Sequence, residues 1–346
     1  MFDSLTRSAR CYLGRKMHII RGPQHGVGMR IYSVRHITTY RYRQSVAFGE
    51  HRMMLAPRDD PDQRLIDLTV DIDPQPSELR WSRDVFGNRV AIAHFSERAA
   101  TLRFESVMRV EHSLTEVAEA DIEDSARSYP FTYPQEDLPH LAHFIERQCA
   151  DPGGKIKDWA QSFLQSDGPT HTRALLVGMT ERIRERFDYT TRHEKGVQDP
   201  LVTLACASGS CRDMALLMIE GVRSLGMAAR FVSGYLYVRK QARSRGGNTH
   251  AWVQVYLPGC GWVDFDPSSG SIGNRGLVRV AVVRDPRQAV PLHGVWIGRP
   301  RDSLGMKVDV RVTATSANKS ERARPEVSDF AEEDFPVLMP ASRMTA

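Results

Sequence analysis

The chain has 346 residues, long enough for two domains with a sizeable core, and its 41% hydrophobic and 26% charged residues are those of an ordinary soluble globular protein. No stretch approaches the roughly 20 apolar residues of a membrane span, and five cysteines at irregular spacing argue against a disulfide framework. The net charge of +5 is dispersed, with +4 in residues 1–28, −2 in residues 314–346 and no dense basic run interleaved with aromatics, which argues against nucleic acid as a partner.

In chain order, residues 1–28 form a basic leader that lacks the apolar stretch of a secretory signal. It reads as a targeting peptide, a mobile arm or an extension ahead of Met29, and the expected compartment is the cytoplasm. Organised sequence begins at "MRIYSVRHITTYRYRQSV", where Tyr32, Val34, His36, Thr38, Tyr40 and Tyr42 alternate with mostly polar residues. That is the period of a half-buried strand. The pattern returns at Ile66, Leu68, Val70 and Ile72, and again at Leu102, Phe104, Met108 and Val110, with a hairpin predicted at Phe86-Gly87-Asn88. Residues 29–112 therefore read as an antiparallel β domain.

Residues 113–170 carry helical spacing in "DLPHLAHFIERQCA" and "KIKDWAQSFLQ", separated by an Asp-Pro-Gly-Gly break. A longer helix is predicted in "THTRALLVGMTERIRERFDY", then strands at 230–238, 249–257 and 262–266, then β-rich "GLVRVAVVRD" and "MKVDVRVT". Residues 314–346, rich in Ser, Thr, Ala, Pro and charge, read as a mobile tail.

The chemistry concentrates around "SGSCRDMALLMIEGVRSLG". Ser210 followed by Asp213 resembles a capping box, and Met214, Leu217, Met218, Val222 and Leu225 recur at helical spacing up to Gly226. Cys211 is thereby placed in the first helical turn, where free N–H groups and the helix dipole lower a thiol pKa. Its own backbone N–H there can face a developing oxyanion. Downstream, "NTHAWVQVYLPGCGWVDFDPSSG" puts His250 and Asp266 on adjacent antiparallel strands. An imidazole that takes the thiol proton and a carboxylate that fixes its tautomer complete a nucleophile–base–orienter set.

Register supplies a test of this set. The two residues share a face only if the connection has an odd number of residues or a bulge, so a three- or five-residue connection, or a bulge, is predicted. Singly, the three have ordinary readings: a small buried residue under a helix cap, a strand histidine, and a turn-capping aspartate before proline. The order Cys…His…Asp favours the chemical reading. A zinc site from Cys206, Cys211, His250 and Cys260 lacks the close CxxC pairs such sites use, and no loop has calcium-ligand spacing. No metal or cofactor is therefore expected. Tyr189 is one candidate for a second oxyanion donor, against its reading as a buried core tyrosine.

These blocks resemble the signature segments of the bacterial transglutaminase-like proteins, within the papain-like cysteine acyl-transfer superfamily. "YSVRHITTYRY" and "RDVFGNRV" are similar to that family's N-terminal β domain, and "VRVAVVRD", "VPLHGVWIG" and "VDVRVT" to its closing segment. The resemblance covers roughly residues 29–313, and Met29 resembles the family's natural start. It implies an α+β fold in which a helix carrying the cysteine packs on an antiparallel sheet carrying the histidine and aspartate, after an antiparallel β domain. The expected division is a leader at 1–28, the β domain at 29–112, a helical connection at 113–170, the catalytic core with its closing β segment at 171–313, and a tail at 314–346.

Carried over, Cys211 is the nucleophile, His250 the general base and acid, and Asp266 the orienting carboxylate. The implied activity is formation of a thioester on a peptide or amide substrate, resolved by water (peptidase or amidase) or by an amine (transglutaminase). The expected partner is a peptide or protein substrate, with no membrane, and the oligomeric state is left open. The alternatives are a catalytically inactive relative that binds a peptide or partner in the same cleft, and a structural or metal-bound protein. The chain departs from the family where Arg212 follows the cysteine in place of glutamine and where Leu216 stands for a polar residue. Arg212 is expected to favour the thiolate.

Overall fold

The computed structural model describes residues 29–114, 118–192, 194, 196–238 and 249–316. The predicted leader and nearly all of the predicted tail lie outside the described residues. The fold is α+β, with two large antiparallel sheets, two short two-stranded pairings and a helical layer on the second large sheet.

The first sheet is organised by one long strand, β1 (Met29–Met53). Along it the buried side alternates as the sequence pattern requires, with Tyr32, Val34, His36 and Thr38 all inside. It is joined by β2 (Gln63–Asp73), β3 (Glu78–Arg83), β4 (Arg89–His94) and β5 (Ala99–Ser113) in the order β2-β5-β1-β4-β3. The predicted hairpin at Phe86-Gly87-Asn88 connects β3 to β4. Gly87 has φ 76°, a left-handed conformation that suits glycine.

The connecting region holds α1 (Leu138–Ile145) and α2 (Lys155–Gln161), both shorter than their sequence pattern suggested. The core follows with α3 (Thr172–Arg186), α4 (Pro200–Cys206) and α5 (Cys211–Ser224). Its sheet contains β6 (Ala229–Leu236), β7 (His250–Leu257), β8 (Gly261–Asp266) and β9 (Leu277–Val283). The spatial order is β8-β7-β6-β9, with a short bridge at Ser271–Ile272 on the outer side of β8. Helix α5 lies on the sheet face formed by Phe231, Ala251, Val253 and Val255, burying Met214, Leu217, Met218 and Val222. Each such large apolar side chain contributes about 1.5–3 kcal/mol of transfer free energy.

The closing segment divides in a way the linear reading did not foresee. β9 completes the core sheet, but β10 (Leu292–Ile297) and β11 (Ser303–Ser316) pair with β1 of the first sheet. β11 covers Arg30 to Tyr42 of β1 and runs past the boundary expected for the tail at 314. The physical reason is edge satisfaction: the first half of β1 has β5 on one side, and β11 pairs its other row of backbone groups. The chain thus returns to its first strand after completing the core sheet.

Polar contacts of high geometric quality lock the two sheets together. Asn88, wholly buried in the β3–β4 hairpin, donates to the Val282 carbonyl at 2.9 Å and accepts the Val282 N–H at 2.9 Å. Its amide also donates to Asp84 at 2.8 Å and accepts from Arg58 at 2.7 Å. An amide is the group that can both donate and accept toward one residue's backbone. Asn88→Ala leaves the Val282 N–H and carbonyl without these partners, and is expected to lower unfolding stability by about 3 kcal/mol. A denaturant titration that shows a loss under about 0.5 kcal/mol would contradict this docking role.

Candidate active site

The site is assembled from three chain segments that meet at the start of α5. Asp188–Tyr189 forms a parallel bridge with Ser208–Gly209, which brings Tyr189 beside the turn that precedes the helix. A Cβ on Gly209 would lie 2.8 Å from the Asp213 Cβ, so the chain passes there only as glycine. Ser210 is the N-cap. The expected box is present in altered form: Asp213 accepts the Ser210 N–H at 2.9 Å, while the Ser210 hydroxyl donates to the same carboxylate at 2.8 Å. Asp213 is fully buried and also accepts from the Gln198 N–H at 2.6 Å and from Arg192 at 2.9 Å. One carboxylate therefore ties the helix start to the preceding loop, as acidic groups at helix N-termini do favourably.

Cys211 is the first residue of α5 and is 5% exposed. His250 opens β7 and Asp266 closes β8. Leu257 pairs with Gly261, so the connection is Pro258–Cys260, the shortest of the forms that register allows. His250, Trp252, Asp264 and Asp266 consequently share one face, and the His250 Nε2 lies 2.7 Å from the Asp266 Oδ2. That leaves Nδ1 for the Cys211 thiol, which hydrogen-bonds the imidazole. The structure thus brings together all three residues singled out in the sequence.

Asp266 is fully buried, and the following turn was shaped to hold it charged. Besides His250 it accepts from the Ser268 N–H at 3.0 Å and hydroxyl at 2.9 Å, and from the Ser269 N–H at 3.2 Å and hydroxyl at 2.5 Å. Burial alone would raise its pKa; the His250 charge and hydrogen bond, with those of Ser269 and Ser268, outweigh it and hold the carboxyl below its ordinary value. Burial opposes a charged His250, yet Asp266 and then Cys211 raise the imidazole to about 10. Burial likewise opposes a Cys211 thiolate. The His250 hydrogen bond and charge and the Ala251 backbone N–H bring the thiol below its ordinary value all the same. The other two cysteines with shifted values go the opposite way: burial, with Glu220 for Cys149 and Asp121 for Cys260, pushes both up to about 11.

Arg212 does more than supply a charge. Its guanidinium lies over the Phe231 ring at 5.9 Å and donates to the Pro286 carbonyl at 3.2 Å, and although burial disfavours its charge, the neighbouring Cys211 and Asp213 charges support it, so the cation and the thiolate favour one another. Tyr189 is exposed on one side, yet its hydroxyl hydrogen-bonds the Cys211 sulfur; burial and then the neighbouring sulfur raise it to about 12, so it stays a neutral donor. Cys206 is exposed at the end of α4 and Cys260 lies in the β7–β8 turn; among the described residues no three His, Cys, Asp or Glu side chains cluster as metal ligands. Among the described residues no helix is long and apolar enough to cross a membrane. The linear reading missed the surroundings of the imidazole: Trp252 stacks on His250, and its indole donates to a buried Asp264 at 2.6 Å. A charged residue alternating with Asp266 in "WVDFDP" was the available signal.

A thiol at a helix start beside an imidazole–carboxylate pair on an antiparallel sheet defines the papain-like class. Within it, the chain belongs to the bacterial transglutaminase-like proteins. Residues 32–111 match the model of the bacterial transglutaminase-like N-terminal region, and residues 157–267 match that of the transglutaminase-like superfamily core. Uncharacterized protein Rv2569c of Mycobacterium tuberculosis is 28% identical over 313 residues, covering 82% of this chain and 93% of its own. Uncharacterized protein Mb2599c of Mycobacterium bovis matches to the same extent, 28% over 313 residues. Among solved structures, a proposed cysteine protease from Cytophaga hutchinsonii shares the fold with a TM-score of 0.63 at 17% identity, covering 84% of this chain and 91% of that one.

The charges give a pH dependence with a definite sign. A raised imidazole and a lowered thiol favour the thiolate–imidazolium pair; it is lost on the acid side as the thiolate protonates and on the basic side as the imidazole passes about 10. Asp266 supplies the leading influence that raises His250. Asp266→Asn is therefore expected to lower the imidazole, raise the thiol and slow Cys211 alkylation at pH 6 about tenfold for each unit the thiol rises. An unchanged rate profile in the folded variant would show that the carboxylate does not set the pair.

Proposed function

We propose that the protein is a thiol-dependent acyl-transfer enzyme acting on peptide or amide substrates. The observation that carries this reading is the continuous hydrogen-bonded array from the Cys211 thiol through His250 to Asp266, 2.7 Å long at its second link and held by serines at its far end. In the proposed reaction the Cys211 thiolate attacks the substrate carbonyl carbon and forms a C–S bond. The oxyanion faces the Cys211 backbone N–H at the helix start and the Tyr189 hydroxyl, two donors fixed before the charge develops. His250, protonated at rest, gives its proton to the leaving amine as the C–N bond breaks.

The thioester is then resolved by water, with His250 taking the proton, to give an acid; or by an amine, to give a new amide. Asp266 keeps the imidazole in its tautomer and orientation through both halves. A peptide or protein is the proposed partner. Since the Tyr189 hydroxyl hydrogen-bonds the sulfur, an entering carbonyl takes the place of the thiol as its acceptor.

Acyl transfer is tested by mixing the protein with p-nitrophenyl acetate and following intact mass, with and without methylamine. The expected result is one acetyl group on Cys211, absent in Cys211→Ser, discharged by water and faster with the amine if transfer is the natural outcome. A protein that acquires no acetyl on Cys211 is a binding protein in the same fold. Tyr189→Phe is expected to reduce acylation on the order of a hundredfold while alkylation by iodoacetamide, which forms no oxyanion, changes little. Equal loss in both assays would remove Tyr189 from the oxyanion site.

A further inference from the structure

We infer that the Arg58–Gln63 loop of the N-terminal β domain is a positioning element for His250, acting through Arg279, Asp264 and Trp252. The inference rests on His250 being the base of the proposed thiol site. It begins with an arginine in an otherwise apolar strand: Arg279 sits in β9, whose other members are all hydrophobic, and is 3% exposed. An unpaired charge there would be prohibitive. Three carboxylates surround the guanidinium. From the core sheet, Asp264 accepts its Nη1 at 2.8 Å; from the loop between β1 and β2, Asp60 accepts its Nε at 2.9 Å and Asp62 accepts its Nη2. The loop also grips the Arg279 backbone, since the Gln63 amide donates to its carbonyl and accepts its N–H, both at 2.8 Å.

From this clamp the contacts run directly to the imidazole. Asp264, 3% exposed, spends one oxygen on Arg279 and the other on the Trp252 indole N–H at 2.6 Å. Trp252 is fully buried, and its ring stacks on His250 at 6.0 Å between centroids and 26° between planes. Register puts the two ends level in the sheet, with Arg279 opposite Gly234 and Gly234 opposite His250. Gly234 is required at that crossing: a Cβ would stand 2.0 Å from the Val278 carbonyl oxygen and 2.9 Å from the Trp252 ring. The imidazole is thus held by Asp266 at Nε2, by the Cys211 thiol from α5 (with Tyr189 beyond it), and by the Trp252 ring. Two of these belong to the proposed chemistry, and the third is anchored to the other sheet.

The test uses the full chain with 15N-labelled histidine, His250 being assigned by its loss in His250→Gln. In Asp60→Asn/Asp62→Asn the loop keeps its shape but no longer holds Arg279 by charge. The expected result is a His250 titration lowered by about one pH unit and Cys211 alkylation at pH 6 slowed about tenfold, with cooperative unfolding retained. A folded double variant with unchanged His250 titration overturns the inference. If the double variant does not fold, Trp252→Phe decides: it keeps a stacking ring and removes the N–H that binds Asp264, and an unchanged imidazole there overturns the inference equally. The imidazole signal also separates the two claims. A wild-type thiol that is unreactive while His250 still responds to the loop would remove the acyl-transfer reading and leave the positioning role standing.

Discussion

The hairpin between β7 and β8 turns in three residues, Pro258, Gly259 and Cys260, and this count fixes on which side of the core sheet the charges lie. With it, His250, Trp252, Asp264 and Asp266 line one face, while Ala251, Val253, Val255, Val263 and Phe265 line the other against α5. A slip of one residue in either strand would bury both aspartates under the helix and turn the apolar set toward the first sheet. Gly259, with φ 85°, makes the short turn possible, and a Cβ there would come within 2.5 Å of the Asp121 carbonyl oxygen. The proposed chemistry and the apolar packing are thus two faces of one register.

The second constraint is electrostatic. Burial is the leading influence on Cys211, His250 and Asp266, and in each case it disfavours the charged form. Mutual pairing reverses it in all three, so that the charges are stable as a set and none is stable alone. The same logic recurs around Arg279, whose charge is sustained by carboxylates from two sheets. Because one of those carboxylates also binds Trp252, the cost of burying Arg279 is coupled to the placement of the imidazole. The N-terminal sheet is in this sense a part of the scaffold of the proposed site as much as a neighbouring domain.

Much of this was legible in the chain itself. Cys211 could be placed because Ser210, Asp213 and the apolar spacing of α5 specify a helix start within a few residues. His250 and Asp266 could be paired because strand alternation and the parity of the connection are arithmetic properties of the sequence. What stayed hidden depends on contacts far apart in the chain. The return of β11 to β1 joins Arg30 to Ser316, and no local pattern encodes it. Asp60, Asp62 and Gln63 look like an ordinary polar loop until folding sets them around Arg279, more than 200 residues away. Arg212 was legible in part: proximity in sequence put its charge beside the thiol, while its contacts with Phe231 and the Pro286 carbonyl appear only in the fold.

The central claim is that Cys211 rests as a thiolate because His250 is its partner. The direct measurement is the pH dependence of alkylation at each cysteine, read by peptide mass spectrometry, in the wild type and in His250→Ala. Cys211 is expected to react well below the ordinary thiol range of about 8.5, Cys149 and Cys260 only toward about 11, and the low-pH reactivity of Cys211 is expected to vanish without the imidazole. A Cys211 whose profile follows those of Cys149 and Cys260, or is unaltered in His250→Ala, would contradict the account.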